Sequence, residues 1–358
     1  SMLDGAARVT DVVTAAARDG QPALGITDHG NMYGAIEFYK ECKNQGIKPI
    51  IGTELYQAHD SRAERPSRRG RVDDSGGETE GGKKLYYHLT ALAENNTGYK
   101  NLIQLASRAF MEGYYYKPRV DWELLEEHSE GIIVTTGCLG GQVLQALLHG
   151  DDKGALEKAA RLQDIFGKDN MFVEIQDHAI PEQHQTNPKL LEIAKKIGAP
   201  LLATNDSHYV HQDDAEAHDA LLCVQTGSLM SDPDRFKFSG DQHYLKSAAE
   251  MRYLFNEVEV SCDNSLWIAE RCDVEIEFGN PLLPNFPLPE GFADDTAYLE
   301  HLTMEGAKKR WGDKIPDAAV SRLAFELKVI ADMGFSSYFL ITWDLIKHAR
   351  YNNVRVGP

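Results

Sequence analysis

Apolar and polar positions recur along this chain with two periods, and the two take turns. Val9, Val12, Val13 and Ala16 follow the i, i+3, i+4, i+7 spacing of one helix face, so 6–18 is predicted helical and ends at Gly20. The short apolar run at 22–27 is strand-like. Helix is predicted over 33–45, strand over 47–56, strand over 85–92 and helix over 97–110. A strand over 131–135 precedes helices over 140–149 and 152–166, and a strand over 171–176 follows. Asn187-Pro188 reads as a helix start, because proline suits the first turn, and Leu190, Ile193, Ala194 and Ile197 make one face before Gly198. A strand over 200–204 completes the series. Strands alternating with helices imply parallel pairing through right-handed crossovers, hence an α/β barrel or a doubly wound sheet.

Two stretches break the rhythm. "HDSRAERPSRRGRVDDSGGETEGGKK", 59–84, is charged, rich in Gly and Ser and nearly free of apolar residues. It reads as a mobile insertion between core elements. Its Arg62, Arg65, Arg68, Arg69 and Arg71 could touch nucleic acid, but the nearby acids make a solvated loop the plainer reading. "EFGNPLLPNFPLPEGFADD", 277–295, carries four prolines and reads as a linker. Beyond it the chain turns helical, with Leu323, Leu327 and Ile330 on one face. The expected division is therefore 1–276, a linker over 277–295, and 296–358. Neither end reads as a natural terminus, so a piece of a longer protein is expected.

Composition narrows the class. At 358 residues there is room for roughly two domains of about 150 residues each. A hydrophobic share of 42% with 26% charged residues is that of a soluble globular protein. No run of about 18 apolar residues argues for a membrane span, and no leader-like start argues for secretion. Five scattered cysteines without a C-x-x-C argue against a disulfide framework and fit a reducing cytoplasm. A net charge of −18 speaks against gripping a phosphate backbone by bulk charge. Carboxylates can also hold metal ions, and an acidic site with bound cations still accepts phosphate.

The chemistry gathers at strand ends. Leu24-Gly25-Ile26 runs into Asp28 and His29, and Pro49-Ile50-Ile51 into Glu54. His88 stands in "YYHLTALA", and Cys138 follows Thr136-Gly137. "FVEIQDH" supplies Glu174, Asp177 and His178, and "LLATNDSH" supplies Asp206 and His208. Singly, each has a plain structural reading: a histidine that caps or packs, an aspartate that shapes a turn, a cysteine that fills a core. Asp206 and His208 go further, because a D-x-H in extended chain puts both side chains on one side. In α/β barrels the functional groups meet at the C-terminal face of the strands, and these are the side chains that bind zinc, manganese and iron. Ligands of N, O and S type suggest a multinuclear centre, with Glu54 as a candidate bridge. Such centres hydrolyse phosphoesters by polarising the phosphoryl group and acidifying water. No G-x-S-x-G elbow or Walker loop offers a rival chemistry. "GCLGGQ", 137–142, could present backbone N–H groups to phosphate but reads better as a lining loop, with Cys138 a metal thiolate rather than a nucleophile.

"SMLDGAA", "GITDHGNMYGAIEFYKECKNQGIKPIIGTELY", "YYHLTALAENNTGYKNLIQLAS", "GYYYKPRVDWELLEEHSEGIIVTTGCLGG" and "LLATNDSHYV" resemble the PHP (polymerase and histidinol phosphatase) domain. The form resembled is the one that opens the α subunits of bacterial replicative DNA polymerase III, of the C family. "MGFSSYFLITWDLIKHARYNNVRVGP" resembles the start of the palm in those polymerases, which disfavours a free histidinol-phosphatase-like enzyme. The resemblance implies a distorted TIM-like (β/α)7 PHP barrel with up to three divalent metals, zinc first, manganese or iron as alternatives. The implied ligands are Asp4, His29, Glu54, His88, Cys138, Asp206 and His208. Glu54, His88 and Cys138 would share one metal and Asp4, His29 and His208 another, with Asp206 helping to hold the cluster. His29, Glu54, Asp206 and His208 are the implied catalytic set. The family's H-x-H pair would lie on a strand before Ser1, so the barrel is expected to lack its first strand and to hold fewer metals. The polymerase's catalytic aspartates would lie beyond Pro358. The implied activity is 3′–5′ proofreading on a DNA primer end, or alternatively a structural module of the replicase. Implied partners are DNA, a sliding clamp, a clamp loader and a separate exonuclease subunit, in the cytoplasm and without a membrane.

Overall fold

The computed structural model describes residues 3–69, 77–79, 83–279 and 283–357. Two compact units divide the chain, Ser1–Glu275 and Ile276–Pro358.

In the first unit the strands are β1 (Ala23–His29), β2 (Lys48–Ala58), β3 (Arg68–Arg69), β4 (Glu78–Thr79), β5 (Tyr86–Ala93), β6 (Arg119–Val120), β7 (Ile132–Thr135), β8 (Met171–Ile175) and β9 (Leu201–Ala203). The main sheet runs β1-β2-β5-β7-β8-β9, with β6 also on β2, while β3 and β4 form a separate two-stranded sheet. Helices Val9–Arg18, Ala35–Gln45, Asn96–Glu112, Gln142–Leu148 and Asp152–Phe166 lie where the periodicity puts them, within a few residues.

Three expectations need correction. Not every pair is parallel: β5 runs antiparallel to both β2 and β7. Among its described residues the segment between β2 and β5 carries no helix, so the chain turns back instead of crossing over. The helix expected from Asn187 begins at Pro181 and runs to Ile197, with Pro188 inside it. Pro181 takes the first-turn position for which its fixed φ is suited. Finally, the insertion is not solvated throughout. Arg62 reaches Glu112 and Asp121 at 2.7 Å and Glu123 at 3.0 Å, which ties its start to the barrel. Arg71 lies outside the described residues.

Both faces of the sheet are buried, and one core cluster spans it. Ile50, Leu92, Ile133, Phe172 and Leu202 come from β2, β5, β7, β8 and β9 and pack on Ile268, Ala269 and Cys272 at the end of helix Val260–Arg271. The sheet is strongly curled. Laid flat at about 4.8 Å per strand, β1 and β9 would stand about 24 Å apart. Instead the ring of His29, at the end of β1, lies 6.3 Å from that of His208, just beyond β9. The sheet is an open half-barrel whose two ends meet at the C-terminal mouth.

The second unit contains helices Asp295–Trp311, Asp317–Asp332 and Ser336–Tyr351. Leu323, Leu327 and Ile330 form the half-buried face of the middle helix. Among the described residues no single helix is long and apolar enough to cross a membrane.

Candidate metal centre

Strand register builds the first half of the site. His29 is the last residue of β1 and pairs directly with Glu54 on β2. Glu54 stands in the middle of β2, since that strand continues to Ala58. His88 on β5 lies opposite Tyr56, which makes it a diagonal neighbour of Glu54 on the same face. Gly30 lets the chain leave β1: its φ is +66°, and a Cβ there would meet Pro118 and the Tyr56 ring at 2.9 Å. Its N–H donates to the Glu54 carbonyl at 2.8 Å, fixing His29 beside the carboxylate.

Loops supply the other half. The His88 N–H donates to the Gly140 carbonyl at 3.0 Å, which pins the loop carrying Cys138. Gly137 N–H donates to Thr135 Oγ1 and Gly141 N–H to the Cys138 carbonyl. These two donors serve the loop itself. Asp4 precedes the first helix. The N–H groups of Ala6 and Ala7 donate to the His208 carbonyl at 2.7 and 3.1 Å, and His218 Nε2 donates to the Asp4 carbonyl at 2.7 Å. Asp206 and His208 lie beyond the end of β9, and Asp206 has a φ of +44°. A turn therefore brings them together, not strand alternation. His208 Nδ1 donates to the Asp206 carbonyl at 2.8 Å.

All seven residues meet at one mouth. Glu54 Oε1 is 2.6 Å from His88 Nδ1 and 3.7 Å from Cys138 Sγ, and that sulfur is 3.6 Å from His88 Nδ1. Glu54 Oε2 faces the other way, 3.8 Å from His29 Nε2. Asp4 Oδ2 lies 3.0 Å from His29 Nε2 and 3.4 Å from His208 Nε2. Asp206 Oδ1 is 3.8 Å from His208 Nδ1. Ligand atoms of Asp4, His29 and His208, of His29, Glu54 and His88, and of Asp206, His208 and His243 fall within 4.8 Å of one another.

His243 was missed by the sequence reading. It sits in a loop after no strand, so a rule based on strand ends could not find it. Its ring stacks on that of His178 at 3.8 Å. His178 in turn bonds the Asn205 carbonyl and the Gln183 side chain at 2.8 Å each, so it braces the turn rather than facing the ligands. Glu174 is also elsewhere: its carboxylate accepts from Thr135, Thr204 and Gln176. Asp177 pairs with His184 at 3.1 Å.

The electrostatics show what the cluster lacks. Burial alone would push His29 down, but Glu54 and Asp4 overcome it and raise it to about 10. His208 rises to about 9 against its own burial, through Asp206 and Asp4. Burial would raise both carboxylates, yet His29 and His208 hold Asp4 far below its ordinary range, and His29 and His88 hold Glu54 at about 2. Burial and then Glu54 and Asp206 push the Cys138 thiol well up. The buried acids thus demand positive charge, and protonated imidazoles supply it. Divalent cations fit the same demand, with N, O and S donors already convergent.

Known protein families match both units of the chain. Residues 1–178 match the family model described as PHP domain, and 297–358 the one described as bacterial DNA polymerase III alpha NTPase domain. The first match includes Asp4, His29, Glu54, His88 and Cys138, while Asp206 and His208 lie past it in the same compact unit. DNA polymerase III subunit alpha of Mycobacterium tuberculosis H37Rv is 48% identical over all of this chain, and that of Treponema pallidum 44%. The chain spans about 30% of the length of these curated relatives. An amidohydrolase of known structure from Chromobacterium violaceum overlays 59% of this chain and 85% of its own, at 16% identity and a TM-score of 0.36, too loose an overlap to add to the fold's own topology. With a PHP match on the half-barrel, a polymerase III alpha match on the helical unit and relatives identical at nearly half of all positions, the chain belongs to the family of bacterial DNA polymerase III alpha subunits.

Proposed function

We propose that the half-barrel is a metal-dependent phosphodiesterase that removes 3′ nucleotides from DNA, working beside a polymerase site in the longer protein. The observation that carries the reading is the split carboxylate of Glu54, with Oε1 towards His88 and Cys138 and Oε2 towards His29. One residue can thereby hold two ions side by side: one on Glu54, His88 and Cys138, the other on Asp4, His29 and His208. Divalent ions bound there would polarise phosphoryl oxygens and lower the pKa of water. Asp206 adds negative charge beside His208 and keeps that imidazole aimed at Asp4. The Gly30 and Gly140 contacts hold His29 and His88 in place, so the ligands need little rearrangement to bind. The names of the relatives support DNA as substrate and DNA-directed DNA synthesis by the whole protein; a sliding clamp, a clamp loader and a separate exonuclease subunit are further proposed as partners.

The test is shortening of a 3′-mismatched primer by the longer protein. His29→Ala or Asp206→Asn is expected to lower the rate by about ten- to a hundredfold, the scale on which metal-site changes act. Unchanged rates in both would refute the assignment.

A second reading draws on a different observation. Asp4, His29 and His208 join the two ends of the open sheet, so ions there would also brace the fold. A chelator that lowers the melting temperature of a protein without any nuclease activity would favour bracing as the whole role.

A further inference from the structure

We propose that the turn Tyr115–Lys117 is a seat for single-stranded DNA, holding the strand whose 3′ end enters the metal centre; this rests on the phosphodiesterase reading above. The turn is tight: Tyr115 N–H donates to the Lys117 carbonyl at 3.0 Å. Tyr116 occupies its tip with a φ of +64° and remains 41% exposed. A bulky residue in the left-handed region is strained, and folds keep such strain where the side chain's placement matters. Here the strain presents a ring to solvent rather than to a core.

Cations surround the turn. The Arg68 guanidinium lies 5.1 Å from the Tyr116 ring centre, and Arg119 and Arg65 lie 5.2 and 5.7 Å from that of Tyr115. Arg119 and Arg65 donate to backbone carbonyls, among them Gly113, Arg62 and Glu64. Arg119 is buried and fixes the turn from within, while Arg65 is exposed and spends its hydrogen bonds on carbonyls rather than on a carboxylate. Within the insertion Arg62 is bound to acids, and Arg65 and Arg68 lie over the tyrosine rings. Exposed rings with cations beside them are the chemistry of sequence-tolerant single-strand binding, in which bases stack and phosphates are neutralised. In a chain of net charge −18, a polyanion needs such a local seat.

The seat adjoins the metal centre. Lys117 Nζ lies 5.1 Å from the Tyr56 ring centre, and that ring lies 5.9 Å from His29 and 5.5 Å from His88. Pro118 closes against Gly30, the residue after His29. A single ring thus separates Lys117 from two of the ligands. In this arrangement a base stacks on Tyr116 while Lys117 meets the phosphate next to the one being cleaved.

The test is binding of a 5′-fluorescein oligothymidylate to the 358-residue chain at low salt, read by fluorescence anisotropy. Tyr116→Gly removes the ring and relieves the backbone, Lys117→Gln removes the charge, and Tyr116→Phe keeps a stacking face. The expected result is wild-type binding that weakens with salt, about tenfold weaker binding in the Gly and Gln variants together, and near wild-type binding for Tyr116→Phe. Should Tyr116→Gly lose its fold by circular dichroism, Lys117→Gln decides alone, with an expected loss of about threefold. No binding by the wild type, or equal binding by folded variants, overturns the proposal. Binding of the oligomer by this chain, with no phosphodiester cleavage by the longer protein, would sink the functional reading and leave the seat standing.

Discussion

His29 and Glu54 are register partners across β1 and β2, and His88 and Cys138 approach the other oxygen of the Glu54 carboxylate. On the proposed division of ligands Cys138 serves one ion beside Glu54 and His88, so Cys138→Ala should cost one bound ion and leave the Asp4, His29 and His208 group able to bind, which calorimetric zinc titration would read directly. The raised histidines also set a pH dependence for the metal-free chain. His29 at about 10 and His208 at about 9 hold protons that the unfolded chain releases near 6.5. Their stabilisation is complete below pH 6.5 and is lost as pH rises through 9 to 10. Glu54, held at about 2, acts oppositely, losing its contribution as pH falls towards 2. Urea midpoints of the metal-free chain should therefore drop from pH 6.5 to 10, and bound ions should flatten that slope by replacing the protons. An equally steep alkaline drop with and without metal would contradict this. His29, His88 and Cys138 could be picked out from sequence because each follows or opens an apolar run. His243 could not, since its position near Asp206 is made by a turn and by stacking on His178.

At the scale of elements, helix faces and strand runs were readable because burial imposes their periods. Direction was not. The antiparallel course of β5 depends on a connection whose composition is that of a loop, and periodicity carries no sign of direction. The region after β9 was unreadable for another reason. Helix Val260–Arg271 has few fully buried residues, so its apolar period is faint although it closes the core. Close approaches are likewise a tertiary matter. A Cβ on Gly98 would fall 1.7 Å from the Gly131 carbonyl oxygen, where helix Asn96–Glu112 packs on the entry to β7. Gly98→Ala should destabilise the half-barrel by about 3 kcal/mol, measurable by urea unfolding. The cap beside it, where Asn95 accepts from Thr97 and Gly98 N–H groups, should cost about 1 kcal/mol on Asn95→Ala.

For the whole molecule, the ends of the half-barrel are joined through candidate ligands: Asp4 from the N-terminal segment, His29 from β1 and His208 beyond β9. Metal binding and folding should therefore be coupled. Chelation is expected to lower the melting temperature of the half-barrel and added zinc to restore it, read by circular dichroism at 222 nm. A melting curve indifferent to metal would mean that the ions play no part in closing the sheet. The most direct test of the central claim, that Glu54 bridges two ions, is the metal content of the purified chain by elemental analysis, beside Glu54→Gln. The account predicts about two divalent ions per wild-type chain and the loss of both in the variant. One ion or none in the wild type, or a Glu54→Gln chain that keeps its full complement, would contradict it.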